Sequence, residues 1–524
     1  MIRACRTVFF YLGLVAAWLP TGRCPATAEI AEGRVFHDRN GNGRRDPGEE
    51  GLSGVRVSNQ REVVVTDADG RWRLGLEDEE TVFFVIKPRG WMTPVDPVTK
   101  LPRFSYIHRP SGSPRLKYPG IRPTGPLPSS IDFPLRPQAE PDRFRVVVFA
   151  DPQAGNPTEI DYLARDVVAE LVGTDAAFGI TLGDIVNNDL SLYPLHNETV
   201  GLIGIPWYNV IGNHDSNTDA PDDRSADDTF EQTYGPNYYA FEYGPAHFIA
   251  LDDILWTGKT SPRGSSYRAA LDARQLEFIR NDLRGVPRDC PVILLMHIPL
   301  TELKDREALF RLIEDRPHTL SLAGHTHSQE HRFFTCEDGW RGAEPHHHVI
   351  NVTVCGSHWG GAPDECGIPH ATMKDGTPNG YTVLTVDGHR MSVEFKAARR
   401  PASYQMNIYA PSVVAAAEAG DTEVLVNVFG GSDRSKVEMS VGPEGRWRPM
   451  RGTETLDPSI VQLNALYEGP RPPPGKAPRK ASVCAHIWSL KLPAGLPAGL
   501  HLLRVRTTDM YGNTYQACRA LRIR

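Results

Sequence analysis

At 524 residues, 40% hydrophobic and 23% charged, the chain has the makeup of several folded domains, which excludes a disordered or fibrous protein. Its 57 basic and 64 acidic side chains leave a formal charge of −7, which argues against bulk electrostatic binding of nucleic acid or anionic membrane. With 47 glycines and 44 prolines, many turns and a large share of β structure are expected.

The first residues read as an address. Arg3 and Arg6 precede an apolar run from Val8 to Leu19, and Ala26-Thr27-Ala28 follows as a small-x-small cleavage site. That order predicts a signal peptide over residues 1–28 and an exported chain, periplasmic or secreted, because the run is too short to span a bilayer. A lipoprotein anchor at Cys24 is the weaker reading, since Arg23 stands where a small residue is needed. No later stretch is long and apolar enough for a membrane span. Cys290, Cys336, Cys355, Cys366, Cys484 and Cys518 remain, and the disulfide favoured is Cys484–Cys518, both in strand-like runs of one segment.

Residues 29–119 carry short β-type runs (54–57, 63–66 and 81–86) that predict a small sandwich. Near its start, Asp38, Asn40, Asn42, Gly43 and Glu49 fit the spacing of a calcium loop, with Asp46 nearby and the Arg44 carbonyl as a further donor. The alternative is a polar hairpin loop without an ion. A Pro-rich stretch, residues 120–142, predicts a stiff extended linker. Residues 143–397 alternate strand-like and helix-like stretches. Residues 401–524 return to alternating runs such as Glu423–Val428, predicting a second sandwich, interrupted where the prolines of 469–475 exclude a central strand.

The middle segment holds the chemistry, and position carries the inference. Five apolar runs each end in metal-capable residues: 145–150 before Asp151-Pro152-Gln153, 176–182 before Gly183-Asp184, 205–211 before Gly212-Asn213-His214-Asp215, 291–296 before His297, and 319–323 before Gly324-His325-Thr326-His327. Between them Ile160, Leu163, Ala164, Val167, Val168 and Leu171 keep a helical period, as do Leu309, Leu312 and Ile313. Strands alternating with helices imply a layered α/β core whose ligands bind beyond the carboxyl ends of the strands. The glycines at 183, 212 and 324 are expected to let the chain turn sharply there. Carboxylates, imidazoles and amide oxygens together suit borderline-to-hard divalent cations.

These blocks, in this order, resemble the signature of the calcineurin-like metallophosphoesterase superfamily: D-x-H, G-D, G-N-H-[DE], H and G-H-x-H. The flanks, and the segments 356–361 and 376–381, are similar to a bacterial exported subgroup that sets this core between N- and C-terminal β domains. The resemblance implies a layered β-sandwich core flanked by helices and a two-metal site. Asp151, Gln153, Asp184 and His327 would hold one ion; Asp184, Asn213, His297 and His325 would hold the other, with Asp184 bridging. A dimetal-activated water would attack a phosphate ester. His214 would protonate the leaving oxygen or stabilise phosphoryl charge, with Asp215 orienting its ring. Gln153 departs from the family's histidine and looks like the variant in manganese-dependent diphosphatase-like members. Mn²⁺ is therefore favoured, with Mg²⁺, Zn²⁺ or Fe²⁺ as alternatives. Asn187 stands where purple acid phosphatases carry a ligating tyrosine, which argues against a coloured Fe(III) site. In the N-terminal segment, 38–49 with 51–55 and 66–70 resembles the calcium-binding B-type repeats of bacterial surface adhesins, implying weakly bound Ca²⁺.

Other candidates have plainer readings. His346-His347-His348 is read as a solvated loop, because adjacent residues of an extended chain cannot all face one ion. Cys355 and Cys366 are read as structural, as a disulfide or otherwise. His358 and Trp359 are candidates for the substrate cleft, with packing an equal alternative for Trp359. The partner expected is a phosphate-ester substrate, whether monoester, diester or pyrophosphate; no nucleic-acid track is visible, and protein partners are unspecified. The rival to an enzyme is an idle phosphatase-like scaffold serving extracellular binding or adhesion. It is disfavoured because an idle site has no physical need to keep buried, repelling carboxylates.

Overall fold

The computed structural model describes residues 29–76, 80–258, 267–442 and 445–524. The predicted signal peptide lies outside them. Among the described residues no helix is long and apolar enough to cross a membrane.

All five apolar runs of the middle segment are strands, divided between two sheets. The first sheet runs Trp207–Val210, Phe178–Leu182, Arg143–Phe149, Gly380–Asp387 and Arg390–Ala397. Its first three strands pair in parallel, as when Ile180 lies between Val148 and Tyr208. The second sheet runs Tyr239–Tyr243, Ala246–Ala250, Val292–Leu295, Thr319–Ala323, His346–Ile350 and Glu330–Phe334. The two sheets face each other through aromatic side chains. Phe178 meets Phe248 at 5.4 Å between centroids, and Tyr208 stacks on Phe241 at 4.0 Å. Such contacts bury much apolar area per residue and fix the separation of the layers.

Helical turns cover the outside. Pro157–Leu163 starts at Asn156, whose side chain caps Glu159 N, and continues without a break through Ala164–Val168 and Ala169–Leu171. It buries Ile160, Leu163, Val167, Val168 and Leu171, the face its periodicity predicts. Arg306–Ile313 buries Leu309, Phe310 and Ile313.

The N-terminal residues form two four-stranded sheets. One contains Arg71–Gly75, Ile30–His37, Phe133–Pro137 and Trp91–Met92; the other contains Val63–Val65, Arg56–Ser58, Thr81–Ile86 and Ser105–His108. The stretch read as a linker is thus partly strand, with Phe133–Pro137 pairing in parallel with Ile30–His37. Pro134 is tolerated there because it lies beyond the two-residue strand Trp91–Met92, and Pro137 because the register with Ile30–His37 ends at Leu135. One apolar core runs from Val35, Phe83 and Phe84 through to Phe144, Phe178, Phe248 and Phe278 of the middle segment. A buried ion pair crosses the same boundary, Arg56 to Asp282 at 2.6 Å, and the buried Lys87 ammonium donates across it to Glu242 O at 2.7 Å.

The C-terminal residues form two further sheets around Val426, Met439, Trp488, Leu503 and Val505. Gly499–Thr508 and Thr514–Ile523 make the closing hairpin. Residues 469–482 contain no strand and follow the helix Pro458–Glu468. Two sequence readings are corrected here. Cys484 sits buried in one sheet and Cys518 exposed in the other, so they make no disulfide; all six described cysteines are free, Cys355 and Cys366 included. His346-His347-His348 is not a loop but the start of the strand His346–Ile350. Alternate residues of a strand share a face, which turns His346 and His348 inward, where the Ser321 hydroxyl bridges them at 2.8 and 2.7 Å. Burial holds both imidazoles well below their ordinary pKa, so neutral rings donate and accept in place of water.

Candidate active site

The five strand ends meet at one edge of the facing sheets. His297 Nε2 lies 3.3 Å from Asp184 Oδ1, 3.1 Å from Asn213 Oδ1 and 3.1 Å from His325 Nδ1. Gln153 Nε2 donates to Asp184 Oδ2 at 3.0 Å, and His327 Nε2 lies 3.5 Å from Asp151 Oδ1. Asp184 therefore stands between the Asp151–Gln153–His327 group and the Asn213–His297–His325 group. Ligand atoms of Asp184, His297 and His325 all lie within 4.8 Å of one another.

Backbone geometry aims these side chains. Asp151, Gln153, Asp184, His325 and His327 all have left-handed φ, between 44° and 71°, as do the neighbouring His358 and Trp359. A non-glycine residue there costs roughly 1–3 kcal/mol, and such strain gathers at functional sites. Sequence reading missed this signal because it assigned the turning to the glycines. Only Gly183 takes a positive φ, 78°. Gly212 and Gly324 are needed for room: a Cβ would fall 2.1 Å from Asp184 N and 2.4 Å from Asp151 Oδ2.

Two of the rings have their far nitrogen anchored on a carbonyl. His297 Nδ1 contacts Leu182 O at 2.8 Å, and His327 Nδ1 contacts Gly356 O at 2.6 Å, which leaves the Nε2 atoms facing the site. His325 N donates to Asp151 Oδ2 at 2.9 Å, and His214 N to Asp184 Oδ1 at 2.9 Å. Asp151 and Asp184 are fully buried, yet among the described residues no lysine or arginine pairs with either. Burial raises the Asp151 carboxyl to about 7 against the pull of His297, with Asp184 adding to the rise. Burial would raise Asp184 too, but His297 and His214 hold it well below the carboxylate range. His297 is lowered by burial but raised overall, to about 10, by Asp184 and Asp151. Burial and the His297 charge push His325 down to about 3. Carboxylates and imidazoles competing for too few protons in a buried cluster form a donor set that fits divalent cations.

The donors open into a cavity of about 320 Å³. His214 lines it, with Nε2 4.0 Å from Asp184 Oδ2 and Nδ1 buried without a hydrogen-bond partner. Asp215 does not orient that ring. Its carboxylate accepts from Gly212 N at 2.9 Å, Ile185 N at 3.1 Å and the Tyr193 hydroxyl at 3.1 Å, tying together the loops that carry Asp184 and Asn213. Two backbone N–H groups and a buried phenol, which must find an acceptor, thus claim the carboxylate in place of the His214 ring. His358 and Trp359 stand behind the cavity wall. His358 stacks on His327 at 4.3 Å, and the buried Trp359 donates its indole N–H to Pro152 O at 3.1 Å. Cys355 lies buried beside the same group, 3.7 Å from Gln153 Oε1. The cavity walls also carry Tyr267, Glu302, Lys374 and Arg479, which no motif marks because they come from scattered connections.

At the other candidate site, Asp38 takes N–H donors from Gly41 at 2.7 Å and Gly43 at 2.9 Å. Asn40 and Asn42 donate to Asp46 at 2.7 and 2.8 Å, while Glu49 accepts from Arg39 N and Asp46 N. Asp38, Asn40, Asn42, Asp46 and Glu49 thus share one closed loop, with Arg44 N bonded to Asn42 Oδ1 at 2.8 Å.

The family model described as calcineurin-like phosphoesterase matches residues 144–329, and the one described as the C terminal of calcineurin-like phosphoesterase matches residues 348–515. A protein of Arcobacter nitrofigilis named probable glycerophosphodiester phosphodiesterase GpdQ is 29% identical over 161 residues, covering 28% of this chain and 55% of that protein. The chain thus spans about half the length of that relative. Among solved structures, the purple acid phosphatase PPD1 from yellow lupin seeds aligns with 70% of this chain and 66% of its own, at 15% identity and a TM-score of 0.35, too loosely to place individual residues. With both family models matched in succession and the motif strands meeting at one site, the chain belongs to the calcineurin-like metallophosphoesterase superfamily.

Proposed function

We propose that the protein is an exported, metal-dependent phosphoesterase. The observation that carries this is the convergence of Asp151, Gln153, Asp184, Asn213, His297, His325 and His327, five of them buried and five of them at left-handed φ, on one cavity edge beside His214. In this reading Asp151, Gln153, Asp184 and His327 hold one divalent cation, and Asp184, Asn213, His297 and His325 hold the second. When bound, such cations polarise a phosphoryl oxygen and lower the pKa of an attacking water. The chain's own residues do the rest. The carbonyls of Leu182 and Gly356 fix His297 and His327 with their donor nitrogens inward. His214, side chain 28% exposed at the cavity wall, can reach a leaving oxygen and protonate it. An amide at Gln153 in place of imidazole favours Mn²⁺ or Mg²⁺ over Zn²⁺. The relative's name supports a phosphodiester among the candidate substrates. Export rests on the leader-like residues 1–28, and the loop 38–49 is proposed to take Ca²⁺ at millimolar concentration.

The test is turnover of aryl phosphate mono- and diesters and a nucleotide pyrophosphate by the metal-stripped protein, with Mn²⁺, Mg²⁺ and Zn²⁺ restored in turn. Restoration strongest with Mn²⁺ is expected. Turnover of none of them, with metals shown to be bound, overturns the enzymatic reading in favour of an idle scaffold.

A further inference from the structure

The loop after the helix Pro458–Glu468 belongs by sequence to the C-terminal module, yet it lies against the catalytic module. Gly361 N donates to Lys476 O at 2.7 Å, Lys476 Nζ to His358 O at 3.0 Å, and Ser482 N to Lys374 O at 2.9 Å. The approach is close: a Cβ on Gly475 would fall 2.4 Å from Gly361 O. Asn464 then clamps the residues between. Its Nδ2 donates to Arg479 O at 3.0 Å, and its Oδ1 accepts from Ala481 N at 2.7 Å. The result places the Arg479 side chain in the cavity that holds Asp184, Asn213 and His214.

Lys374 lines the same cavity, and burial together with the Arg479 charge lowers its ammonium below the usual range. Neither cation has a carboxylate partner among the described residues. Glu302 shares the cavity without closing an ion pair with either. Two unpaired cations held together beside a phosphoryl site raise each other's energy until an anion enters. Counting the cavity charges outside the proposed metal ligands and His214, Lys374 and Arg479 against Glu302 leave one positive charge in excess.

We propose that Arg479, supplied by the C-terminal module, forms with Lys374 an anion subsite that selects phosphate esters carrying a second negative charge near the scissile phosphorus. A monoester dianion has that charge on the reacting group itself; a diester or pyrophosphate with an additional anionic group has it next door. A simple diester monoanion lacks it. This rests on the phosphoesterase reading of the same site.

The experiment compares the metal-loaded parent with Arg479→Gln and Arg479→Lys on p-nitrophenyl phosphate, bis(p-nitrophenyl) phosphate and ADP, alongside calorimetric binding of inorganic phosphate. Arg479→Gln is expected to lower kcat/KM for the monoester by about 10- to 100-fold, mostly in KM. The loss on the simple diester should be smaller by about tenfold, with Arg479→Lys in between. A comparable loss on ADP, whose terminal and inner phosphates both carry charge, extends the selection to pyrophosphates; a loss confined to the monoester limits it to monoester dianions. Equal losses on mono- and diester, or no loss on either, overturn the subsite. Absence of turnover in the parent would count against the phosphoesterase reading alone. Phosphate binding would then decide the subsite: weakening by about fivefold or more in Arg479→Gln supports it, and unchanged binding overturns it.

Discussion

His297 and Asp184 approach to 3.3 Å although they follow strands of different sheets, Val292–Leu295 and Phe178–Leu182. Asp184 also accepts from Gln153 and from His214 N, so one carboxylate joins the donors of both sheets. Replacing Asp184 by Asn keeps the shape and removes the shared charge. The expected result is a loss of both cations and a fall in kcat of about 10³-fold. His325→Ala should instead lose one cation. Metal content per chain, measured after dialysis, distinguishes the two, and an Asp184→Asn protein retaining both ions and full turnover would show that Asp184 is no bridge.

His214→Ala should leave the metal content unaltered, because its ring is 4.0 Å from Asp184 and outside the proposed ligand groups. Turnover should fall by about 10²- to 10⁴-fold on alkyl phosphates, which need a proton on the leaving oxygen, and much less on p-nitrophenyl phosphate. Equal losses on good and poor leaving groups would assign His214 to phosphoryl charge stabilisation instead.

Gly212 has no conformational excuse to be glycine; it is there because Asp184 occupies the space. Gly212→Ala is expected to cost about 1–3 kcal/mol of stability and to weaken metal binding, through displacement of Asp184. Thermal unfolding with and without Mn²⁺ checks this. A variant with the parent's melting temperature and metal affinity would mean that the loop yields freely.

The strands, the helical face at 157–171 and the order of the metal-capable residues were legible in the sequence because each depends on local periodicity or on a short block. What stayed hidden depends on distant partners. Asp215 looked like a neighbour for His214, but a residue adjacent in sequence points elsewhere when Gly212 N and Ile185 N lie within reach. The three consecutive histidines read as a solvated loop because they cannot all face one ion, and nothing local announced the Ser321 hydroxyl that satisfies two of them. Arg479 is separated from every motif and enters the cavity only through contacts between modules.

One of those contacts is titratable. His486 in Val483–Lys491 lies 3.4 Å from Asp375 Oδ2 and 2.8 Å from Asn427 Oδ1. Burial acts to lower its pKa, but Cys484 and Asp375 leave it well above the ordinary value; Asp375, against its own burial, is held low by His486. The histidine's contribution is complete below about pH 6.5 and is lost as pH rises through its raised folded value. The aspartate's is complete above about pH 4 and is lost as pH falls through its depressed one. The parent should therefore melt at falling temperature as pH climbs from about 6.5 into the alkaline range. His486→Asn should show a lower and flatter profile. Parallel profiles for the two proteins would remove the pair from this role.

The strand Arg143–Phe149, which leads into Asp151, has Phe178–Leu182 on one side and Gly380–Asp387 on the other, with Val148 opposite Thr382. One flank is made soon after it and the other only when most of the polypeptide exists. During synthesis, then, the first metal-ligand block waits beside an unpaired sheet edge until the segment around residue 380 arrives. Non-local pairing of this kind slows folding and leaves sticky intermediates. The nascent chain is therefore most vulnerable to aggregation in the interval before that late strand closes the sheet.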